Sequence, residues 1–154
     1  MLLTKDDVVS EIKKEMDTLL SIIPEIENMI GFDHCHPHHH LNVWDHTLLA
    51  LSYSKNDLKT RLAVLLHDAG KPLCYTQDGE IRHYRGHAEK SAMLAKAVLE
   101  RLGFDETFTA NVVELVRRHD TPLREADIKA DIVFSKELFE VQKCDSFAHN
   151  PEHN

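Results

Sequence analysis

Apolar residues recur along this chain every three or four positions, and that period predicts helices almost throughout. Val8, Ile12, Leu19 and Ile23 form a first stripe, opened by the capping-box pair Thr4 and Asp7 and stopped by Pro24. A short helical piece from Glu25 to Ile30 ends at Gly31. Val43, His46, Leu49, Ala50 and Tyr53 mark the next helix, and Leu58 to Asp68 reads as a buried one, halted by Gly70 and Pro72. Between Cys74 and Tyr84 two short alternating runs flank Asp78-Gly79, which predicts a small hairpin or turn. Ala88, Ala92, Ala95, Leu99 and Leu102 then form an amphipathic helix closed by Gly103. Asp105 can cap another, whose inner face holds Phe108, Val112, Leu115 and His119. A last helix starts near Ser135, with Leu138, Val141, Asp145 and Ala148 in register. The expectation is an all-α fold, a compact bundle of about six or seven helices in one domain over 1–154. Residues 1–31 would form an N-terminal helical segment and 32–151 the core.

The formal charge of -8, from 18 Lys+Arg against 26 Asp+Glu, has the wrong sign for nonspecific nucleic-acid binding through phosphate neutralisation. An apolar fraction of 42% and a charged fraction of 29% suit a folded globular chain. Cys35, Cys74 and Cys144 are odd in number and far apart, so neither a disulfide framework nor a thiolate zinc site is expected. The start MLLTKDDVV lacks a basic leader with an apolar core, and no apolar run approaches the roughly 20 residues of a spanning helix. A cytoplasmic protein without a membrane partner is expected.

Histidine departs from ordinary composition: there are 12, more than the 5 Gly and 5 Pro together. Five fall in the aperiodic stretch from Phe32 to Asn42, which should be a loop. Others lie on inward faces: His46, His67 with Asp68, His119 and Asp145 end or interrupt apolar stripes. Each alone suits a hydrogen-bonded core histidine or a capping aspartate. Burying them all costs several kcal/mol apiece unless they are paired or coordinated, and imidazoles with carboxylates are a metal-ligand set.

The run LLHDAGKP at 65–72 resembles the HD-domain superfamily of metal-dependent phosphohydrolases, whose signature is a first His, an adjacent His-Asp pair and a distant Asp. His46, His67, Asp68 and Asp145 match that order, and Gly70-Lys71 match the Gly-Lys that often follows the pair. The likeness extends to the HD domain of bacterial tRNA nucleotidyltransferases and related stand-alone proteins. It is carried by HHLNVWDHTLLAL, RGHAEKSA, LVRRHDTP and KCDSFAHNP. Room for a nucleotidyltransferase domain is absent, so CCA addition is not implied.

The resemblance implies one divalent ion held by His46, His67, Asp68 and Asp145 and a second by His87 and His119 with Asp68 bridging. A single ion remains the alternative, with His119 capping its helix and His87 opening another. Fe, Mn, Co, Ni, Mg and Zn are the candidate ions. The implied activity is hydrolysis of a nucleotide or other small phosphate mono- or diester by a metal-activated water, with Asp68 and Lys71 as catalytic residues. Lys71 would also contact the phosphate, or else partner a helix dipole. His38, His39, Arg85 and Arg118 are substrate-binding candidates, joined by His36 and Arg117; each also suits a solvated surface. Trp44 could stack on a base or belong to the core. A dinuclear-iron oxygenase on the same scaffold and a noncatalytic nucleotide-binding module are the alternative functions.

Overall fold

A computed structural model describes residues 2–36 and 39–149. A 3-10 turn at Leu2–Thr4 leads into α1 (Val8–Lys14) and α2 (Met16–Ile22), and a 3-10 run at Pro24–Met29 precedes the histidine-rich loop. Then come α3 (Val43–Ser52), α4 (Leu58–Leu66), a 3-10 turn at Lys71–Leu73, the strands β1 (Thr76–Asp78) and β2 (Ile81–His83), α5 (His87–Arg101), α6 (Glu106–Arg117), α7 (Glu125–Ala130) and α8 (Ile132–Phe147). The class is all-α, as the periodicity predicts.

α4 is the axis of the bundle. Asp57 caps it by accepting from the Thr60 N–H at 2.9 Å, and every residue from Thr60 to Leu66 is buried. α3, α5, α6 and α8 all pack on it, so a helix apolar on most faces has a neighbour for each face. Leu62, Leu65 and Leu66 meet Leu51, Leu99, Leu115 and Leu138 in one core, which also takes in Ile12, Ile26 and Met29 of the N-terminal segment. Each such side chain contributes about 1.5–3 kcal/mol of burial.

Boundaries differ from expectation where side chains compete for the backbone. Asp7, not Thr4, opens α1: its carboxylate accepts from the Ser10 N–H at 3.1 Å. The first predicted helix breaks at Glu15, and the piece after Pro24 is 3-10 rather than α. The connection before Phe134 contains α7, and Asp131 starts α8 at Ile132 by accepting from the Phe134 N–H at 3.0 Å. The described residues therefore hold eight α-helices. The hairpin forms at Gly79 and Glu80, with Gly79 at φ +62° and Asp78 opposite Ile81. No described helix is long and apolar enough to cross a membrane.

Candidate metal centre

Five helices deliver the polar side chains. α3 carries His46, the C-terminal end of α4 carries His67 and Asp68, and α8 carries Asp145. His87 opens α5 and His119 follows α6. The turn after α4 is tight because α5 presses on it. Gly70 has an ordinary φ of -81°, but a Cβ there would lie 2.7 Å from the Ser91 nitrogen and 2.9 Å from its Oγ. Contact, not backbone strain, requires this glycine. The Lys71 N–H closes the turn on the Asp68 carbonyl at 3.0 Å, which returns the lysine side chain to the cluster.

All four histidines are oriented alike. Each Nδ1 donates to a backbone carbonyl: His46 to Ala148 at 3.1 Å, His67 to Val64 at 2.5 Å, His87 to Tyr84 at 2.8 Å and His119 to Val116 at 2.6 Å. A neutral imidazole that donates through Nδ1 presents only a lone pair at Nε2. Those four lone pairs converge on carboxylates. His46 Nε2 lies 2.7 Å and His67 Nε2 3.1 Å from Asp145 Oδ1, and they lie 3.7 and 3.2 Å from Asp68 Oδ2. On the other side His87 and His119 Nε2 lie 3.5 and 3.6 Å from Asp68 Oδ1 and 3.2 Å from each other.

Electron-rich atoms thus face one another, and only a proton or a cation between them makes the arrangement favourable. Asp68 Oδ2, deeply buried, has no hydrogen-bond partner. Around an ion with ligands at about 2.1 Å, neighbouring donor atoms stand roughly 3.0–3.4 Å apart, for octahedral and tetrahedral arrangements respectively. The observed separations of 2.7–3.7 Å bracket that range. The residues present therefore fit divalent cations. Among the described residues four groups have the spacing to hold one, and two of them, His46, His67, Asp68 and Asp145, and Asp68, His87 and His119, consist of the expected ligands. The others are His39, His46 and His149, and His119, Asp120 and Asp145.

Charge is distributed accordingly. Burial opposes ionisation of Asp68, but His67 and Lys71 outweigh it and hold the carboxyl well below the usual range. Burial likewise opposes charge on His67, and Asp68 with Asp145 overcome it, so His67 stays protonated well above the usual histidine range. A proton on His67 occupies the position a cation would take.

Lys71 is buried, its Nζ 3.4 Å from Asp68 Oδ2 and 3.2 Å from His34 Nε2, above the Tyr84 ring. His34 is wholly buried and donates through Nδ1 to the Leu41 carbonyl at 2.8 Å, so its Nε2 accepts from the ammonium. Burial, then the lysine charge, lower its pKa to about 3. Tyr84 donates to the His34 carbonyl at 2.5 Å and the Arg82 N–H to the Cys35 carbonyl at 2.8 Å, so the hairpin clamps the loop. A cleft of about 510 Å³ opens above the cluster, with Asp68, Lys71 and Asp145 on its floor and His39, Arg85 and His149 among its walls.

Of the substrate-binding candidates, Arg85 is exposed on the cleft wall and His39 stacks on His34 with ring centroids 3.9 Å apart. His38 lies outside the described residues. The structure does not bring Arg118 in: its guanidinium covers the Phe134 ring and faces Asp127. Arg117 pairs with Glu89 and Glu114. Adjacent residues at a helix end point about 100° apart, so the arginines before an inward histidine face elsewhere. Trp44 is buried in the core rather than free to stack on a base. Sequence reasoning passed over His34, Tyr84, Asp120 and His149. Only Asp120, in a second His-Asp pair, and His149, four residues after Asp145, carried a readable signal.

Helices converging on paired histidines and a shared aspartate define a class of helical metal-site domains. The HD domain family model matches residues 38–148, and the chain belongs to that family. It is 40% identical over 104 residues to the CC-adding tRNA nucleotidyltransferase of Thermus thermophilus, covering 63% of this chain and 24% of that protein. It is 31% identical over 114 residues to the multifunctional CCA protein of Nitrosococcus oceani, covering 71% and 28% respectively. The A-adding tRNA nucleotidyltransferase of Deinococcus radiodurans is 33% identical over 99 residues, covering 60% and 23%. The chain spans about a quarter of the length of these relatives.

Proposed function

We propose that this HD domain is a metal-dependent phosphohydrolase that cleaves a nucleotide or other small phosphate mono- or diester. The observation that carries the reading is Asp68: buried, ionised, one oxygen toward each histidine pair, and Oδ2 without a hydrogen bond beneath an open cleft. His46, His67, Asp68 and Asp145 would hold one divalent ion, and His87 and His119, with Asp68 shared, a second. Such ions supply a water acidified to near neutrality and charge neutralisation at a phosphoryl group.

The chain's own groups do the rest. Lys71, held between Asp68 and His34, presents its ammonium to a phosphoryl oxygen on the cleft floor. Arg85 meets substrate charge at the rim, and His39 bounds the entrance. The backbone carbonyls behind the histidines hold each Nδ1 as a donor and so aim all four Nε2 atoms at the positions of the ions. An acidic chain still admits a phosphate, because the charge local to the site outweighs the distant net charge. The relatives are named for adding nucleotides to tRNA, and the proposal takes from them only a nucleotide as the first substrate to try.

Elemental analysis of protein purified without chelator or metal-binding tag tests the cations, and release of p-nitrophenol from p-nitrophenyl phosphate and its bis-ester tests the reaction. The expected result is bound divalent metal and hydrolysis that Asp68→Asn abolishes. Full turnover in Asp68→Asn, or no metal after loading, overturns the proposal.

A further inference from the structure

We infer that Asp120 is a fourth donor of the second cation site, giving it two imidazoles and two carboxylates like the first. This rests on the metal-dependent reading above and assigns a residue beyond the six candidate ligands.

The first observation is a repetition. Val64-Leu-Leu-His67-Asp68 ends α4, and Val116-Arg-Arg-His119-Asp120 ends α6. In both, the histidine follows the helical segment and donates through Nδ1 to the valine carbonyl three residues earlier, at 2.5 and 2.6 Å. Each histidine therefore turns Nε2 outward beside the carboxylate of the next residue: 3.2 Å separates His67 from Asp68 Oδ2, and 3.2 Å separates His119 from Asp120 Oδ1. The same local device is built twice, and one copy supplies the central carboxylate of the cluster.

The second observation is placement. Asp120 presents one oxygen to each imidazole, Oδ2 at 3.0 Å from His87 Nε2 and Oδ1 at 3.2 Å from His119 Nε2. Asp68 approaches the same two nitrogens from below at 3.5 and 3.6 Å, and the nitrogens lie 3.2 Å apart. The two Asp120 contacts and the nitrogen pair, at 3.0–3.2 Å, have the spacing of neighbouring donors around one ion at about 2.1 Å, and the two Asp68 contacts are slightly longer. The pair is thus enclosed by an inner carboxylate, 2% exposed, and an outer one, 51% exposed. The first site has the same form, with His46 and His67 between Asp68 and the 14% exposed Asp145. Among the described residues no lysine or arginine forms an ion pair with Asp120, whereas Lys71 already engages Asp68.

The third observation is what the imidazoles require. Both donate through Nδ1, so two Nε2 atoms 3.2 Å apart cannot each carry a proton without opposing two N–H bonds. A divalent ion satisfies both nitrogens and both carboxylates together.

The test is equilibrium dialysis of the chelator-stripped full chain against Mn²⁺, with bound metal measured by elemental analysis. Wild type should take two ions, and His119→Ala should lose the second. Asp120→Ala should weaken that same ion about 10- to 100-fold and leave the first unchanged, with Asp120→Glu restoring part of the loss. Asp120 is half exposed, so the metal-free melting temperature of each Asp120 variant should match wild type and separate ligation from folding. Two ions bound by Asp120→Ala with wild-type affinities overturn the inference. Weakening that disappears in 1 M salt also overturns it, because a ligand bond persists where distant attraction is screened. Fewer than two ions in wild type overturn the two-site reading itself, before any Asp120 variant is compared.

Discussion

Arg61 and Asp68 are two buried ionisable side chains on one stretch of chain, seven residues apart, and their surroundings are opposite in kind. Arg61 donates to the carbonyls of Leu3 and Lys5 at 2.8 and 2.6 Å, to Asn56 Oδ1 at 3.1 Å and to Ser54 Oγ at 3.1 Å. Its donors are matched by oxygens that no ligand displaces, and the result is a clasp holding the N-terminal segment to the bundle. Asp68 sits among four histidine nitrogens and a lysine, and its Oδ2 makes no hydrogen bond. A buried charge with every partner supplied is architecture; one left short of partners is a place for something to bind.

The sharpest way to break this comparison is to remove each charge and read both properties. Asp68→Ala should lose bound cation and reduce hydrolysis of bis(p-nitrophenyl) phosphate by on the order of 10³-fold or more, while circular dichroism still shows a folded helical domain. If that variant unfolds and a folded Asp68→Asn keeps its metal, Asp68 is architecture after all. Arg61→Met should do the reverse, costing about 2–4 kcal/mol because the carbonyls it served lose their donor, with metal content unchanged. Differential scanning calorimetry against elemental analysis checks it, and a loss of metal in Arg61→Met would dissolve the distinction.

pH sharpens the comparison next. His67 carries its proton well above 6.5 in the metal-free chain, so its contribution to stability is complete below about that pH and fades as pH rises through the raised folded value. Asp68 and Asp145, held below 3.8, contribute above that value and lose it only as pH falls through their lowered folded values. Protons and cations compete for the same nitrogens. The melting-temperature gain from excess Mn²⁺ should therefore grow between pH 6 and pH 8.5, to on the order of 10 °C at a thousandfold excess over Kd. An equal gain at both pH values would mean that no proton is displaced. The melting temperature of Arg61→Met should fall alike at both.

The smallest expected effect belongs to Lys71, at the edge of the unmatched cluster. Lys71→Ala should raise KM about tenfold with metal content intact, because the ammonium binds phosphate rather than metal. A change confined to thermal stability would place Lys71 with Arg61, as a structural charge.

The comparison also shows which parts of the molecule were legible in advance. The stripes through Leu62, Leu65, Ala92, Leu99, Val112 and Leu115 gave helix positions because period alone separates a buried face from a wet one. Spacing could not locate the break at Glu15 or the start of α8 at Ile132, which depend on single side chains competing for a few backbone N–H groups. The same limit applied to arginines: Arg118 reads as a neighbour of His119, yet one helical step turns it onto Phe134. Arg61, apolar-flanked in LKTRLAVLL, gave no hint that its partners begin at Leu3.

By itself the sequence determined the all-helical class, the order His, His-Asp, His, His, Asp, and the family to which those residues point, since period, residue chemistry and order along the chain are one-dimensional properties. Only the tertiary structure decided that residues from 46 to 145 meet around one carboxylate, that His34 leaves its loop to grip Lys71, and that Asp120 closes over His87 and His119. These depend on how helices far apart in sequence pack and which carbonyl each imidazole meets, distances that no local pattern encodes.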